Sequence, residues 1–180
     1  MKLNGKVLLV SLALFLAGMA HALLGGFGVA VTLPPADAKD AVLVIEPIGC
    51  HGPGAAVTAH AEGVVNGARK TIPLTLSPMP KQADKYLVRR QWPVEGKWVL
   101  VFSARRDGLY AHTLVRTENG KMPMTDSPWG QGQKSFTCAD GKTKLQPWTF
   151  VSDKKVVATY VVHGDLKTAV NYALTSAQMN

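Results

Sequence analysis

The chain has 180 residues and a formal net charge of +8 at pH 7, and 47% of its residues are hydrophobic. A chain of this length can form one domain with a full core. Its positive residues are scattered in short pairs such as Arg105-Arg106, without a basic block or an aromatic-rich nucleic-acid motif. The charge is therefore typical of a soluble protein, and its distribution argues against a nucleic-acid partner.

Residues 1–22 have the features of a signal peptide. Lys2 and Lys6 form a positive start, an apolar run follows at residues 7–16, and Ala20-His21-Ala22 is a small-x-small cleavage site. Cleavage would lower the net charge from +8 to +6, because the segment holds two lysines and no acidic residue. We therefore expect a periplasmic or secreted protein.

The same segment has a second interpretation as an uncleaved membrane anchor. Residues 23–33 are mostly apolar, and a spanning helix needs about 20 apolar residues, which residues 7–33 could supply. His21 and the four glycines between residues 18 and 28 argue against a continuous span. The membrane is a predicted partner only in this second interpretation.

Alternation of apolar and polar residues dominates the rest of the sequence. Ala59 and Ala61 alternate with the polar His60, and the stretch 98–102 is apolar on both faces, which is typical of a central strand. Turns rich in glycine and proline recur about every ten residues. The pattern predicts an all-β fold for residues 23–180, an immunoglobulin-like antiparallel β-sandwich of about seven strands.

Two segments depart from this alternation. Residues 117–147 are rich in Gly, Pro, Lys and Thr and are predicted to form a long loop. Residues from about 165 to 178 have apolar side chains at helical spacing, and Asp165 is the predicted N-cap. We expect this C-terminal helix to cover an open end of the sheet or, alternatively, to dock a partner.

The stretch 86–100 has the pattern of a known hairpin. Its aromatic and glycine positions are Tyr86, Trp92-Pro93 and Gly96-x-Trp98-x-Leu100. The pattern resembles the late hairpin of bacterial exported immunoglobulin-like domains of the YtkA-like and FixH-like kind, and the similarity extends over residues 56–102. The resemblance implies an exported β-sandwich, often accessory to membrane or metal systems, and it implies no catalytic residue.

The two cysteines of the chain, Cys50 and Cys138, are predicted to form a disulfide. An even number of cysteines in an oxidising compartment most simply pair. The bridge would close a loop of 89 residues, for which chain-entropy arguments give about 4–5 kcal/mol. His51 is then a bystander in a glycine-rich turn, because adjacent side chains in an extended segment diverge and rarely bind one metal.

An alternative function follows from four residues whose side chains suit copper(I). His60, His112, Met122 and Met124 offer imidazoles and thioethers, and Met122-Pro-Met124 lies within the predicted loop. They would be the metal ligands of a periplasmic copper-binding or copper-delivery protein. In the main interpretation they are ordinary strand and loop residues, and the protein has no cofactor.

Complete hydrolase motifs do not occur in the sequence. Ser152-x-x-Lys155 lacks its partner motifs S-D-N and K-T-G, and no G-x-S-x-G is present. We therefore expect a non-catalytic protein, an exported accessory or binding module of the bacterial envelope that contacts another envelope protein. Trp129 and Trp148, on either side of Cys138, either pack over the disulfide or are exposed anchors for that partner.

Overall fold

The computed structural model describes residues 26–126, 134–148 and 156–179. These residues form thirteen β-strands, one α-helix and one 3₁₀-helix. The strands that precede residue 100 are β1 (Gly28–Thr32), β2 (Ala41–Ile48), β3 (Ala56–Val65), β4 (Ala68–Pro73), β5 (Leu76–Pro78), β6 (Tyr86–Arg89) and the start of β7 (Lys97–Arg106). The later elements are β8 (Leu109–Glu118), β9 (Met124–Thr125), β10 (Phe136–Thr137), β11 (Lys144–Pro147), β12 (Val156–Val157), β13 (Thr159–His163), helix α1 (Leu166–Thr175) and the 3₁₀-helix (Ala177–Met179).

The strands form two antiparallel sheets and a short ribbon. The smaller sheet has the order β1-β2-β6-β5, the larger sheet has the order β10-β11-β13-β8-β7-β3-β4, and β9 pairs with β12. The two sheets pack face to face, so the predicted all-β sandwich with one C-terminal helix is confirmed. The described strands outnumber the seven or so that the turn spacing predicts.

The inner face of the larger sheet packs against the smaller sheet. Trp98, Leu100 and Phe102 of β7 enter this core and share it with Leu43 and Ile45 of β2, and none of the five is more than 1% exposed. Strand β7 lies between β3 and β8. This position confirms the central strand that its doubly apolar sequence predicts.

The outer face of the larger sheet carries a second core under α1. Its central residues are Val99, Val101 and Leu114 from the sheet and Ala169, Val170 and Ala173 from the helix. The carboxylate of Asp165 accepts a hydrogen bond from the Thr168 amide at 2.7 Å, which caps the helix. The predicted helix and its N-cap are confirmed, and the helix covers part of the outer face rather than an end of the sheet.

The segment 117–147 differs from the single long loop predicted for it. Strand β8 continues to Glu118, β9 follows at Met124, and β10 and β11 form a hairpin that extends the larger sheet beyond β13. Strands of two to four residues carry almost no periodic signal, so composition alone suggested a loop.

Two further predictions concern residues outside the described ranges. The predicted signal peptide lies within residues 1–25, and Trp129 lies within residues 127–133. Among the described residues, no helix combines the length and the apolar composition that a membrane span requires.

Candidate functional site

A row of polar side chains crosses the outer face of the larger sheet where α1 leaves it uncovered. The strand register places Thr58 of β3 opposite Ser103 of β7, and Ser103 opposite His112 of β8. We name this area the polar strip. It consists of Thr58, His60, Ser103, Arg105, Tyr110 and His112. These side chains share the outer face because side chains of one strand alternate between the two faces.

The centre of the polar strip is a hydrogen bond between Ser103 and His112. The Ser103 Oγ and the His112 Nδ1 lie 2.8 Å apart, and both residues are half-buried. Burial lowers the pKa of His112, and the charge of the nearby His60 lowers this pKa further. The His112 ring therefore stays neutral to a lower pH than an ordinary histidine, and the ring tautomer decides which of the two side chains donates the hydrogen bond.

A charged network joins the polar strip to the helix. The His60 Nε2 lies 3.2 Å from the Glu62 Oε1, and the Arg69 Nε donates to the Glu62 Oε2 at 2.6 Å. Arg69 also donates to the side chain of Asn171 on α1. The negative charge of Glu62 is thus balanced by Arg69, and one edge of the strip is fixed in place by three elements, β3, β4 and α1.

The end of the polar strip near the β7–β8 turn is aromatic and positive. The Arg105 Cζ lies 5.4 Å from the ring centroid of Tyr110, a cation–π distance. The Tyr110 and His112 rings are stacked with centroids 6.4 Å apart. Asp107 and Gly108 have positive φ values of 51° and 79°, as a two-residue hairpin turn requires.

The Ser103–His112 pair has the contact of a nucleophile and its base but not the surroundings. Acyl transfer also needs donors aimed at the developing oxyanion, most often backbone amides outside regular pairing. Ser103 lies in the middle of β7, between β3 and β8, so the amides around it serve the sheet ladder. The Ser103–His112 pair therefore lies on a regular strand surface whose amides are engaged in the ladder.

The four predicted copper ligands do not converge. His60 and His112 share the polar strip, whereas Met122 packs against the inner core and Met124 lies on β9. His112 and the end of β8 are six residues apart, about 20 Å along a strand, and the methionines lie beyond that end. Within the described ranges, no three His, Cys, Asp or Glu side chains are grouped to hold a metal ion.

Met122 instead lines a cavity of about 420 Å³ at the far end of β8. Met179 brings a second thioether to this cavity, which the sequence did not indicate because 57 residues separate the two. Arg116 and Lys121 line the same cavity. Glu118 also lines the cavity, but its carboxylate is paired with Lys97 at 3.3 Å. The two positive side chains therefore outweigh it and disfavour a copper cation there.

The predicted disulfide is not formed in the structure. Cys50 lies exposed in the turn between β2 and β3, whereas Cys138 is buried in the core under α1, on the other side of the larger sheet. A disulfide needs Cα atoms within about 7 Å. Burial, and then the charge of Asp140, raise the pKa of the Cys138 thiol.

Trp148 is placed as a packing residue rather than as an exposed anchor. Its amide donates to the Thr159 carbonyl at 3.1 Å, its carbonyl accepts from the Thr159 hydroxyl, and its indole nitrogen is buried. These contacts hold Trp148 at the end of β11, beside β13. Its predicted role as a partner anchor is not supported by this position.

Sequence reasoning named His60 and His112 but missed Ser103, Arg105 and Tyr110. These residues could have been predicted from the Asp107-Gly108 turn. A two-residue turn fixes which residues of the two strands face each other, and here it places Ser103 opposite His112 and Arg105 opposite Tyr110. Comparisons of the chain with protein-family models, curated proteins and solved structures found no match.

Proposed function

We propose that the protein is an exported, non-catalytic binding module of the bacterial envelope and that the polar strip is its contact surface for an envelope protein. The observation that carries this proposal is that the strip is rigidly built yet open to solvent. Thr58 is exposed, while its neighbours Ser103 and His112 are fixed by a hydrogen bond of 2.8 Å. A binding surface gains affinity when its side chains are held in place before the partner arrives.

Export is the part of the proposal that rests on residues 1–22 and on the resemblance to exported sandwich domains. We expect the mature chain to begin at Leu23 in the periplasmic fraction. Leu12→Arg should interrupt the apolar run and leave full-length protein in the cytoplasm, because a signal peptide needs an unbroken apolar segment. Leu33→Arg, outside that run, is the matched control and should be exported normally. A wild-type chain found in the cytoplasm with residues 1–22 intact would contradict export.

The contact surface can be tested by photo-crosslinking in intact cells. A photoreactive amino acid at Thr58 should give a discrete adduct with an envelope protein, because this exposed position faces the same side as Ser103 and His112. The control position is Leu33, which is 47% exposed outside the polar strip. His112→Ala should weaken the Thr58 adduct. Equal adducts at both positions, or an adduct indifferent to His112, would contradict the assignment.

A further inference from the structure

The tip of the β7–β8 hairpin carries an exposed apolar pair opposite two arginines. Leu109 is 44% exposed and Tyr110 is 59% exposed, and they are consecutive residues directly after the turn. Arg105 and Arg106 directly precede the same turn. We name this group, Arg105, Arg106, Leu109 and Tyr110, the hairpin tip. Because consecutive strand residues point to opposite faces, the tip exposes a large apolar side chain on each of its two sides.

The N-terminal segment joins the sandwich at the same end as the hairpin tip. The ring of Phe27, directly before β1, lies 6.2 Å from the ring of His51. The Nδ1 of His51 in turn lies 3.6 Å from the Oδ2 of Asp107 in the hairpin turn. Phe27 and the start of β1 therefore lie at the same end of the sandwich as the hairpin tip.

The charges at the hairpin tip favour an anionic partner. Asp107 is the carboxylate of the turn, and it is shared between the Arg106 Nε at 3.3 Å and His51. Arg105 is exposed, and its Cζ lies 5.4 Å from the centroid of the Tyr110 ring. Nearby on the same end, Asp84 accepts from the Gly54 amide, and Glu46 is paired with Lys85. Two arginines thus face one carboxylate at the tip itself.

We propose that the hairpin tip docks on an anionic membrane surface. Tyrosine is favoured at the boundary between headgroups and acyl chains, leucine adds buried apolar area, and arginines bind anionic headgroups. This inference rests on the proposed location in the envelope and adds a lipid surface as the second contact of the module. The polar strip would then be presented next to that surface, since Arg105 and Tyr110 belong to both.

The hairpin between β3 and β4 is a matched control within the same chain. It lies at the opposite end of the sandwich, because β3 is antiparallel to β7 and Gly63 pairs with Trp98. It also exposes an apolar residue, Val64 at 47%, and a cation, Lys70. Its arginine, Arg69, is bound to Glu62. Each hairpin thus has two cations for one carboxylate. The two differ in their exposed apolar residues, Leu109 and Tyr110 at the tip against Val64 at the control, and in the position of the N-terminal segment.

Sedimentation with lipid vesicles tests the inference. The chain from residue 23 contains every described residue and lacks the apolar run that would itself insert. We expect it to bind vesicles of equal parts phosphatidylglycerol and phosphatidylcholine more tightly than pure phosphatidylcholine vesicles, with weaker binding at high salt. Each of Arg105→Gln and Arg106→Gln should lower the affinity about fivefold. The pair Leu109→Ser and Tyr110→Ser should also weaken binding, whereas the pair Val64→Ser and Lys70→Gln should not.

Each outcome of the vesicle experiment either supports the membrane contact or rules it out. Equal binding to both vesicle types, wild-type affinity of the tip variants, or an equal loss in the β3–β4 control would overturn the membrane contact. Arg105 is exposed, so the Arg105→Gln variant keeps the test valid if the apolar double variant does not fold. If vesicle binding fails while the Thr58 adduct persists, the proposed function stands without a membrane contact. If the adduct fails while vesicle binding persists, the protein contact at the polar strip is refuted instead.

Discussion

The two faces of the larger sheet are built from the same strands but differ in polarity and in how completely they are covered. The inner face of β7 is apolar from Trp98 to Ala104 and is closed by the smaller sheet, whereas the outer face is apolar only at Val99 and Val101. Beyond them, Ser103 begins the open polar strip. A strand that alternates between two environments can thus support a core on one side and a binding surface on the other.

The largest expected effect comes from truncating the inner face. Phe102→Ala should lower the free energy of unfolding by about 3–5 kcal/mol, because a fully buried aromatic side chain is removed and the surrounding core cannot collapse into the space. Urea titration followed by tryptophan fluorescence measures the change. The control is Ser103→Ala, the next residue on the outer face, which loses one half-buried hydrogen bond worth about 1 kcal/mol. A similar loss in the free energy of unfolding for both variants would contradict the view that the inner face supplies most of the stability.

The second prediction asks whether the outer core can open without the inner core. Val170→Asp places a carboxylate where the native side chain is 1% exposed, and an isolated buried charge is highly unfavourable. We expect α1 to undock, because it contributes to the outer core alone. Undocking exposes the new carboxylate to water and so limits the loss in the free energy of unfolding. Hydrogen exchange should then show lost protection in α1 and retained protection in β7.

Lys167→Ala is the control for this substitution, since it changes the same helix at an exposed position outside its buried set. It should leave the exchange pattern of β7 and of the buried side of α1 near that of the wild type. Simultaneous loss of protection in α1 and β7 of the Val170→Asp variant would mean that the two cores unfold as one unit.

The sequence predicted the inner face better than the outer one for a physical reason. Period-two alternation records which side of a strand is buried, so the central position of β7 and the inward direction of Ala59 and Ala61 follow from it. Whether a polar outward residue is covered depends on where α1 docks. That is a long-range packing choice, and local sequence does not contain it.

The same limit explains the cysteine and copper predictions. Counting two cysteines in an exported chain favours a bridge, but it does not reveal that Cys138 belongs to the layer under α1. The methionines at 122 and 124 were grouped with His60 and His112 by ligand chemistry alone. Strand direction then separated them, because β8 carries the chain away from His112 toward the other end of the sandwich.

The third prediction uses pH to probe the outer face. Burial and the charge of His60 lower the pKa of His112 below its ordinary value of 6.5. As the pH falls below 6.5, the unfolded chain therefore takes up a proton before the folded protein does, and stability falls until the folded-state pKa is passed. His112→Gln should reduce this loss, measured as the shift in urea midpoint between pH 7.5 and pH 5.

Two comparisons locate the source of that pH dependence. His60→Gln should reduce the acid loss partly, because His60 is the smaller of the two causes that lower the pKa of His112. Glu62 and Arg69 stay in place beside it and balance one another. A His112→Gln variant with the full wild-type loss would show that burial on the outer face does not perturb this histidine.

The smallest expected effect is at the helix cap, where the outer core begins. Hydrogen bonds from the Thr168 hydroxyl and amide lower the pKa of Asp165 below its ordinary value of 3.8. Its stabilising contribution is present above pH 3.8 and is lost as the pH falls through the lower folded-state value. Asp165→Ala should increase hydrogen exchange in the first turn of α1 at pH 7, while exchange in β7 stays unchanged because the inner core does not depend on the cap.

Asp165→Asn separates the acceptor from the charge. The amide oxygen still caps the helix, so exchange at pH 7 should be close to that of the wild type. Acid should then weaken the α1 region less in Asp165→Asn than in the wild type. The Asp165→Asn substitution should not abolish the effect of acid on α1, because hydrogen bonds from Thr143 also lower the pKa of Asp140. The Thr143 hydroxyl in turn accepts a hydrogen bond from the Asp165 amide at 3.0 Å. If Asp165→Asn and Asp165→Ala lose protection equally at pH 7, the carboxylate charge rather than the cap geometry holds the start of α1 on the sheet.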